Sequence, residues 1–476
     1  MIFSSLVFLC VFLPVVFGLY CVLPSMRGRN ALLILASLVF YAYGEPIYVL
    51  LMIGSALGNY LCARWIAKSR GGKKKALLVL ALVLNLGVLC LFKYTAFLIG
   101  TVNSLFRLHL SVPEIVLPIG ISFFTFQALS YVIDVYFEKV AAQESFWRVL
   151  LYISFFPQLI AGPIVKYRDI DEALQNRKQE PEQIARGLRR FIVGLGKKVL
   201  LANTAGRVAD AIFSADLTAV NALAAWLGAV AYMLQIYYDF SGYSDMAIGL
   251  GRMFGFRFRE NFNYPYAAVG IKDFWRRWHI SLSGWFREYL YIPLGGNRKG
   301  KGRTCLNKLI VFFCTGLWHG ANWTFVLWGL YHGLFLLLED ALPFVKKLPK
   351  FFAHAYTLLV VCVGFVLFRA DTVSQGVYFI AQMFGGFRFS ALSLSLVLRQ
   401  LTPWFLFMLV LSVVGAAPLR PLAERIQAKL SDGNGALTAV GRLVQTGSYA
   451  ASFVLLAWCM IRLSGNTYNP FIYFRF

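Results

Sequence analysis

The chain has 476 residues, of which 59% are hydrophobic and only 14% charged, and its mean hydropathy is +0.65. A soluble domain carries roughly 25% charged residues, so this composition excludes an ordinary water-soluble enzyme; most of the chain has lipid or other buried helices as its solvent. The net charge of +24 lies in short loops between apolar runs, where basic residues mark the cytoplasmic side of a membrane protein, and it does not point to nucleic acid.

The expected fold is all-α, a polytopic integral membrane protein of roughly ten to twelve membrane helices with re-entrant or interfacial pieces. It forms one domain over residues 1–476, since no long polar segment could fold by itself. Ile2 to Leu23 is apolar and close to the about 20 residues that cross a bilayer. No basic n-region precedes it and no small-x-small cleavage site follows, so it reads as a retained first helix. Ala31 to Tyr43 is short for a span. It is predicted to be re-entrant or tilted, and to end where Pro46 disfavours helix at Glu45. Ile47 to Ala63 follows, and then Arg64 to Lys75, with six basic residues and no acid. Further spans are predicted at Ala76 to Phe92, Ile115 to Val135, Trp147 to Val165, Ile184 to Ala205 and Ala222 to Gly251. The last are Leu309 to Leu338, Phe351 to Phe368, Trp404 to Ala417 and Ser448 to Leu463; some of the longer runs are two helices. The eight cysteines have irregular spacing and read as small apolar residues.

Residues 252–308 break the pattern, with twelve basic and three acidic residues interleaved with Trp275, Trp278, Trp285, Phe286, Tyr289 and Tyr291. Rings and long cations together favour headgroup depth. The segment is expected to lie along, or dip into, the cytoplasmic face.

Of five histidines, His319 and His332 fall in an apolar run, where ionisable groups are costly and line cavities or polar paths. A bond to a backbone carbonyl of a neighbouring helix accounts for such a histidine equally well. Around His319, Thr315 and Asn322 follow an i, i+4, i+7 pattern, so in a regular helix they share its face and orient its ring. Imidazole is the natural base for a sugar hydroxyl, because it titrates near neutral pH. His332 is thirteen residues further, about 220° around a straight helix, and reads as structural. His279, among aromatic residues, is either an interfacial histidine or a functional one, a second catalytic histidine or a donor contact. Asp239 and Asp245 are carboxylates in an apolar stretch and need partners. Arg276, Arg277 or another basic residue is the plainer account, and substrate binding the alternative. No metal-ligand spacing, P-loop or dinucleotide fingerprint occurs.

Trp275-Arg-Arg-Trp-His279-Ile-Ser-Leu-Ser, Tyr291-Ile-Pro-Leu-Gly-Gly-Asn297-Arg and Gly316-Leu-Trp-His319-Gly-Ala-Asn-Trp resemble the membrane-bound O-acyltransferases. Phe155-Phe-Pro-Gln-Leu-Ile-Ala-Gly-Pro163-Ile-Val and the terminal Phe471-Ile-Tyr-Phe-Arg-Phe476 are similar to the branch that serves bacterial alginate O-acetylation. The resemblance implies a helical fold around a central tunnel in the bacterial plasma membrane. It implies His319 and His279 as the catalytic pair, no bound cofactor, and acetyl-CoA as the cytoplasmic acyl donor. It further implies an extracytoplasmic acetyltransferase as partner and a polysaccharide as acceptor. Thr315, Asn322, Arg276, Arg277 and Asp239 are the candidate substrate contacts. D-alanyl transfer to teichoic acid and a transporter without bond formation are the alternatives; the absence of an internal repeat speaks against the transporter.

The basic stretches fix an orientation that can be tested. Single cysteines placed at positions 73 and 299 are expected to resist an impermeant thiol reagent in intact cells and to react after permeabilisation. Labelling of either in intact cells would reverse the topology.

Overall fold

The computed structural model describes residues 1–342, 345, 347–419, 436–465 and 468–472, and no strand occurs among them. The first apolar run is helical from Phe8, through a π-helical turn into α1 (Leu13–Val22). Helix α2 (Met26–Ala42) starts at a serine cap, where Ser25 Oγ accepts from Gly28 N at 3.1 Å. That cap satisfies an otherwise orphaned amide. It begins the helix ahead of the apolar run, so the expected short piece is a 17-residue helix that stops, as its proline predicts, before Glu45-Pro46.

Helices α3 (Tyr48–Lys68) and α4 (Gly71–Phe106) flank the basic turn. Asn59 and Asn85 clasp them together by two reciprocal amide bonds of 3.0 and 2.8 Å, a polar contact that leaves neither amide unsatisfied in an apolar setting. Helix α5 (Ile121–Tyr136) packs on both. The run after Trp147 divides at Phe155 into α6 (Phe146–Ser154) and α7 (Phe156–Leu159), with Pro157 in the first turn of the second piece. Then come α8 (Tyr167–Gln175), α9 (Pro181–Gly196), a π-helical stretch at Lys197–Ala202, and α10 (Asn203–Phe213). The central helix is α11 (Ala222–Met253). After it follow α12 (Ile271–Arg277), α13 (Ile280–Phe286), α14 (Gly300–His319), α15 (Trp323–Ala341) and α16 (Lys350–Arg369). The chain closes with α17 (Val373–Gly385), α18 (Ala391–Gln400), α19 (Pro403–Gly415) and α20 (Ala436–Ser464).

Among the described residues, α3, α4, α16 and the Leu443–Ser464 part of α20 are long and apolar enough to cross a membrane; α18 and α19, bent by 68°, would make a fifth span as a pair. That is fewer than the apolar runs suggest, for two physical reasons. Several runs are broken into short helices, and α11 has protein rather than lipid around it. Nearly every residue of α11 from Tyr232 to Leu250 is buried; among its polar residues Asp239 pairs with Lys198 and Ser244 Oγ accepts from Asn261.

Helices α9 and α11 touch backbone to backbone. A Cβ at Gly187 would stand 2.6 Å from Gly249 O, and one at Gly194 would stand 2.5 Å from Gly242 O; the reciprocal positions, Gly249 and Gly242, meet Gly187 O and Gly194 O at 2.6 and 2.7 Å. Small residues seven apart on both helices form one seam, the arrangement that lets helices approach closely without a hydrophobic driving force.

A chain of polar contacts ties the basic turn to the 252–308 segment. Lys74 pairs with Glu138 at 2.5 Å, Lys139 with Asp134 at 3.6 Å, Tyr289 donates to Asp134 at 2.9 Å, and Arg168 pairs with Glu288 at 2.5 Å. Both basic stretches therefore occupy one end of the bundle. Within 252–308, Trp278, Trp285, Phe286 and Tyr289 are buried. Trp285 stacks on Phe126 at 3.7 Å and donates to its carbonyl at 2.9 Å. The rings plug into the bundle, while Arg257, Arg276, Arg287, Arg298 and Lys299 stay exposed.

The glycine seam sets a stability test. Gly194→Val is expected to cost about 1–3 kcal/mol by overpacking, read as a lower melting temperature of the detergent-purified protein. Val193→Ala, a neighbouring change off the seam, is the comparison and should leave the melting temperature nearly unchanged.

Candidate active site

His319 is the last residue of α14. Gly320 is extended at φ −168°, and Asn322 caps α15, its side chain accepting from Thr324 N at 3.1 Å. Helix α14 meets α15 so closely that a Cβ at Gly320 would lie 2.2 Å from the Phe325 ring. The expected regular helix through 315, 319 and 322 therefore does not exist. Asn322 donates to Asp371 O at 2.9 Å, and Thr315 Oγ1 to Val311 O at 2.8 Å. Neither is hydrogen-bonded to the His319 ring. What surrounds that ring is aromatic: Trp328 at 5.1 Å, Phe368 at 5.3 Å and His279 at 6.3 Å between centroids. Its Nδ1 is buried and has no hydrogen-bond partner among the described residues.

His279 arrives from the opposite side, in the turn between α12 and α13. Its backbone is left-handed, φ 44° and ψ 54°, an uncommon state for a residue with a Cβ that marks local strain. Asn261, fully buried, holds this turn. Its Oδ1 accepts from Ser281 N at 3.2 Å and Ser281 Oγ at 2.9 Å, its Nδ2 donates to Ser244 Oγ at 3.1 Å, and Ile280 N donates to its backbone carbonyl at 2.9 Å. The Ser281 amide can only donate, so it fixes which amide atom is oxygen. That same Oδ1 lies 3.2 Å from His279 Nδ1. An oxygen acceptor requires the proton on Nδ1, which makes Nε2 the acceptor nitrogen of a neutral ring.

His319 lines two cavities. One, of about 330 Å³, is lined by Lys93, the Leu117–Phe123 stretch, Ile160 and Trp318. It lies toward the end away from the basic turn, since Lys93 is 22 residues along α4 from Gly71, about 33 Å of helix. The other is a narrow apolar crevice walled by Ile236, Phe240, Trp278, Trp328, Phe365 and Ile472. His332 lines neither cavity. It is packed among Trp275, Trp328 and Tyr331, opposite Gly364, where a Cβ would come within 2.7 Å of its Nε2.

The carboxylates have basic partners, though not the arginines of α12. Asp239 pairs with Lys198 at 2.6 Å and accepts from Ile472 N at 2.8 Å. Asp245 pairs with Arg190 at 2.8 Å and Lys197 at 2.7 Å. Arg277 pairs with Asp273 at 3.0 Å, whereas Arg276 is exposed at the basic end. Burial opposes the ionisation of Glu288, but Lys166 and Arg168 hold its carboxyl below the usual range. Residues 473–476 of the terminal motif lie outside the described residues. Lys93 and Asn261 escaped the sequence reading. The signal for Lys93 was present, a single lysine deep in the apolar stretch of α4; nothing local marks Asn261.

The profile of the membrane-bound O-acyltransferase family matches residues 121–370, which include both histidines and the turn at Asn261. The chain belongs to that family. This acyltransferase is 39% identical to the probable alginate O-acetylase AlgI of Pseudomonas putida, over the full length of both chains. It is 37% identical to the peptidoglycan O-acetyltransferase of Helicobacter pylori, over 81% of this chain and 80% of that one. The teichoic acid D-alanyltransferase of Bacillus subtilis is 29% identical over 52% of this chain and 68% of its own.

The geometry separates capping from chemistry at two positions. Asn322→Ala is expected to lose about 1 kcal/mol of stability, the usual worth of a helix cap, and Thr315→Val rather less. Turnover per folded molecule should stay near wild type in both. A large loss of turnover in a stable Asn322→Ala protein would return that side chain to the reacting atoms.

Proposed function

We propose that this acyltransferase takes an acetyl group from acetyl-CoA at the cytoplasmic, basic end and passes it to a hydroxyl on the far side, with His319 as general base. The observation that carries the proposal is the place of His319: it lines both cavities, and its buried Nδ1 has no hydrogen-bond partner among the described residues. The names of the full-length relatives support acetyl as the group and a cell-surface polysaccharide as the final acceptor. A separate extracytoplasmic acetyltransferase completes delivery in this scheme, as in the branch that the terminal motif resembles.

The chemistry balances on the residues present. The acceptor oxygen attacks the thioester carbon as its proton passes to His319, because a neutral hydroxyl is a poor nucleophile until a base takes that proton. The carbon–sulfur bond then breaks, and the imidazolium returns the proton to the thiolate, leaving an acetyl ester and free thiol. His279, with Nδ1 protonated, offers a hydrogen-bond acceptor beside the crevice and orients the incoming donor. Exposed Arg276, Arg298 and Lys299 suit the donor's phosphates, for which arginine supplies charge-assisted, often bidentate bonds. Arg277, already engaged by Asp273, contributes less. Thr315, Asn322 and Asp239 serve as structure around the site: a hydroxyl bonded to its own helix, a cap, and an anchor for Ile472.

General base catalysis contributes about 10²–10⁴-fold, so His319→Ala should lower polymer acetylation in cells by about that factor at equal membrane protein level. His332→Ala should mainly lower the amount of folded protein, because it empties a packed aromatic site. Near-normal acetylation with His319→Ala would overturn the assignment, and a selective catalytic loss with His332→Ala would move it there.

A further inference from the structure

We propose that Lys93 is a positioning residue for acyl transfer, holding the last turn of α14 so that His319 keeps its place in the walls of the two cavities it lines. The proposal rests on His319 being the base. A lysine deep in an apolar membrane helix is costly and needs partners, and here the partners are specific. Lys93 is buried, at 8% exposure, and its ammonium donates to Trp318 O, to His319 O at 3.3 Å and to Ser122 Oγ at 3.3 Å. The next residue, Tyr94, donates from its hydroxyl to Leu317 O at 2.6 Å. Three successive carbonyls at the end of α14 are thus held by two neighbouring side chains of α4.

Those carbonyls need outside donors, since the last turn of a helix has no amides beyond it. A cation is the best of them, because the helix dipole places partial negative charge there. Beyond His319 the chain supplies only the Gly320 N–H, which donates to Gly316 O at 3.3 Å and leaves the next three carbonyls to other donors, and Asn322 already begins α15. Lys93 also lies 6.0 Å from the Trp318 ring, and the same cavity wall carries Lys93, Ser122 and His319. Releasing the turn would let the ring move from its place in the cavity walls, and a misplacement of about 1 Å can cost about 100-fold in rate.

The test uses the purified full-length protein in detergent with Lys93→Met, Lys93→Gln and Tyr94→Phe. Lys93→Met should lower kcat for acetyl transfer by about tenfold or more while the KM for acetyl-CoA stays within about twofold; Tyr94→Phe, losing one bond, should do less. The second readout needs no donor: the ratio of ethoxycarbonylation at His319 to that at His279, by peptide mass spectrometry, should change about threefold or more in Lys93→Met as the ring moves. Wild-type protein that fails to use acetyl-CoA would refute the donor assignment alone, and the labelling ratio would still judge Lys93. An unchanged ratio, or wild-type kcat in a monodisperse Lys93→Met protein, would overturn the proposal. Should Lys93→Met not fold, Lys93→Gln carries both measurements. If neither folds, Lys93 is a folding residue and the proposal fails.

Discussion

Helices α14 and α15 approach so closely that a Cβ at Gly316 would stand 2.4 Å from Phe325 O, and one at Gly329 only 2.3 Å from Phe312 O. The site depends on that contact. It turns one long apolar run into a hairpin and makes His319 a helix terminus instead of a mid-helix residue. It also brings Trp328 of the second arm against the imidazole. A mid-helix histidine would have its backbone held by its own helix. A terminal one has free carbonyls, and these are what Lys93 and Tyr94 engage.

Charge in this protein is mostly scaffolding. Burying an ion is costly unless it is paired and hydrogen-bonded, and the acidic groups of α11 obey that rule. The π-helical stretch at Lys197–Ala202 places two adjacent lysines on different carboxylates, Lys197 on Asp245 and Lys198 on Asp239. Wide turns of this kind are frequent near functional sites, and here the result is that Ile472 is anchored in the wall of the crevice. Cations without a carboxylate partner among the described residues, such as Arg276 and Lys299, gather instead at the basic end.

The same economy explains the two histidines. Asn261 determines the tautomer of His279 through an amide whose orientation is itself determined by a backbone N–H. The His319 ring has no such orienting bond at Nδ1, only aromatic walls and a tethered backbone. One ring is held by a hydrogen bond to Asn261 and the other by its helix end.

Hydropathy and charge by themselves determined that the chain is a helical membrane protein, because apolar runs and basic loops report directly on the solvent around each segment. Motif order was enough for the family, and it singled out His319 and His279 as candidates. Single residues were legible where the cause is local, as at Pro46, which ends α2. Tertiary structure alone decided what depends on distant neighbours. The i, i+4, i+7 pattern at 315, 319 and 322 assumed a continuous helix, and a turn forced by close packing breaks it. The composition of 252–308 places it along or into one face, but only the bundle shows which of its rings are buried against other helices. Lys93 stands 226 positions before the carbonyl of His319, and no periodicity within α4 reports a partner on another helix.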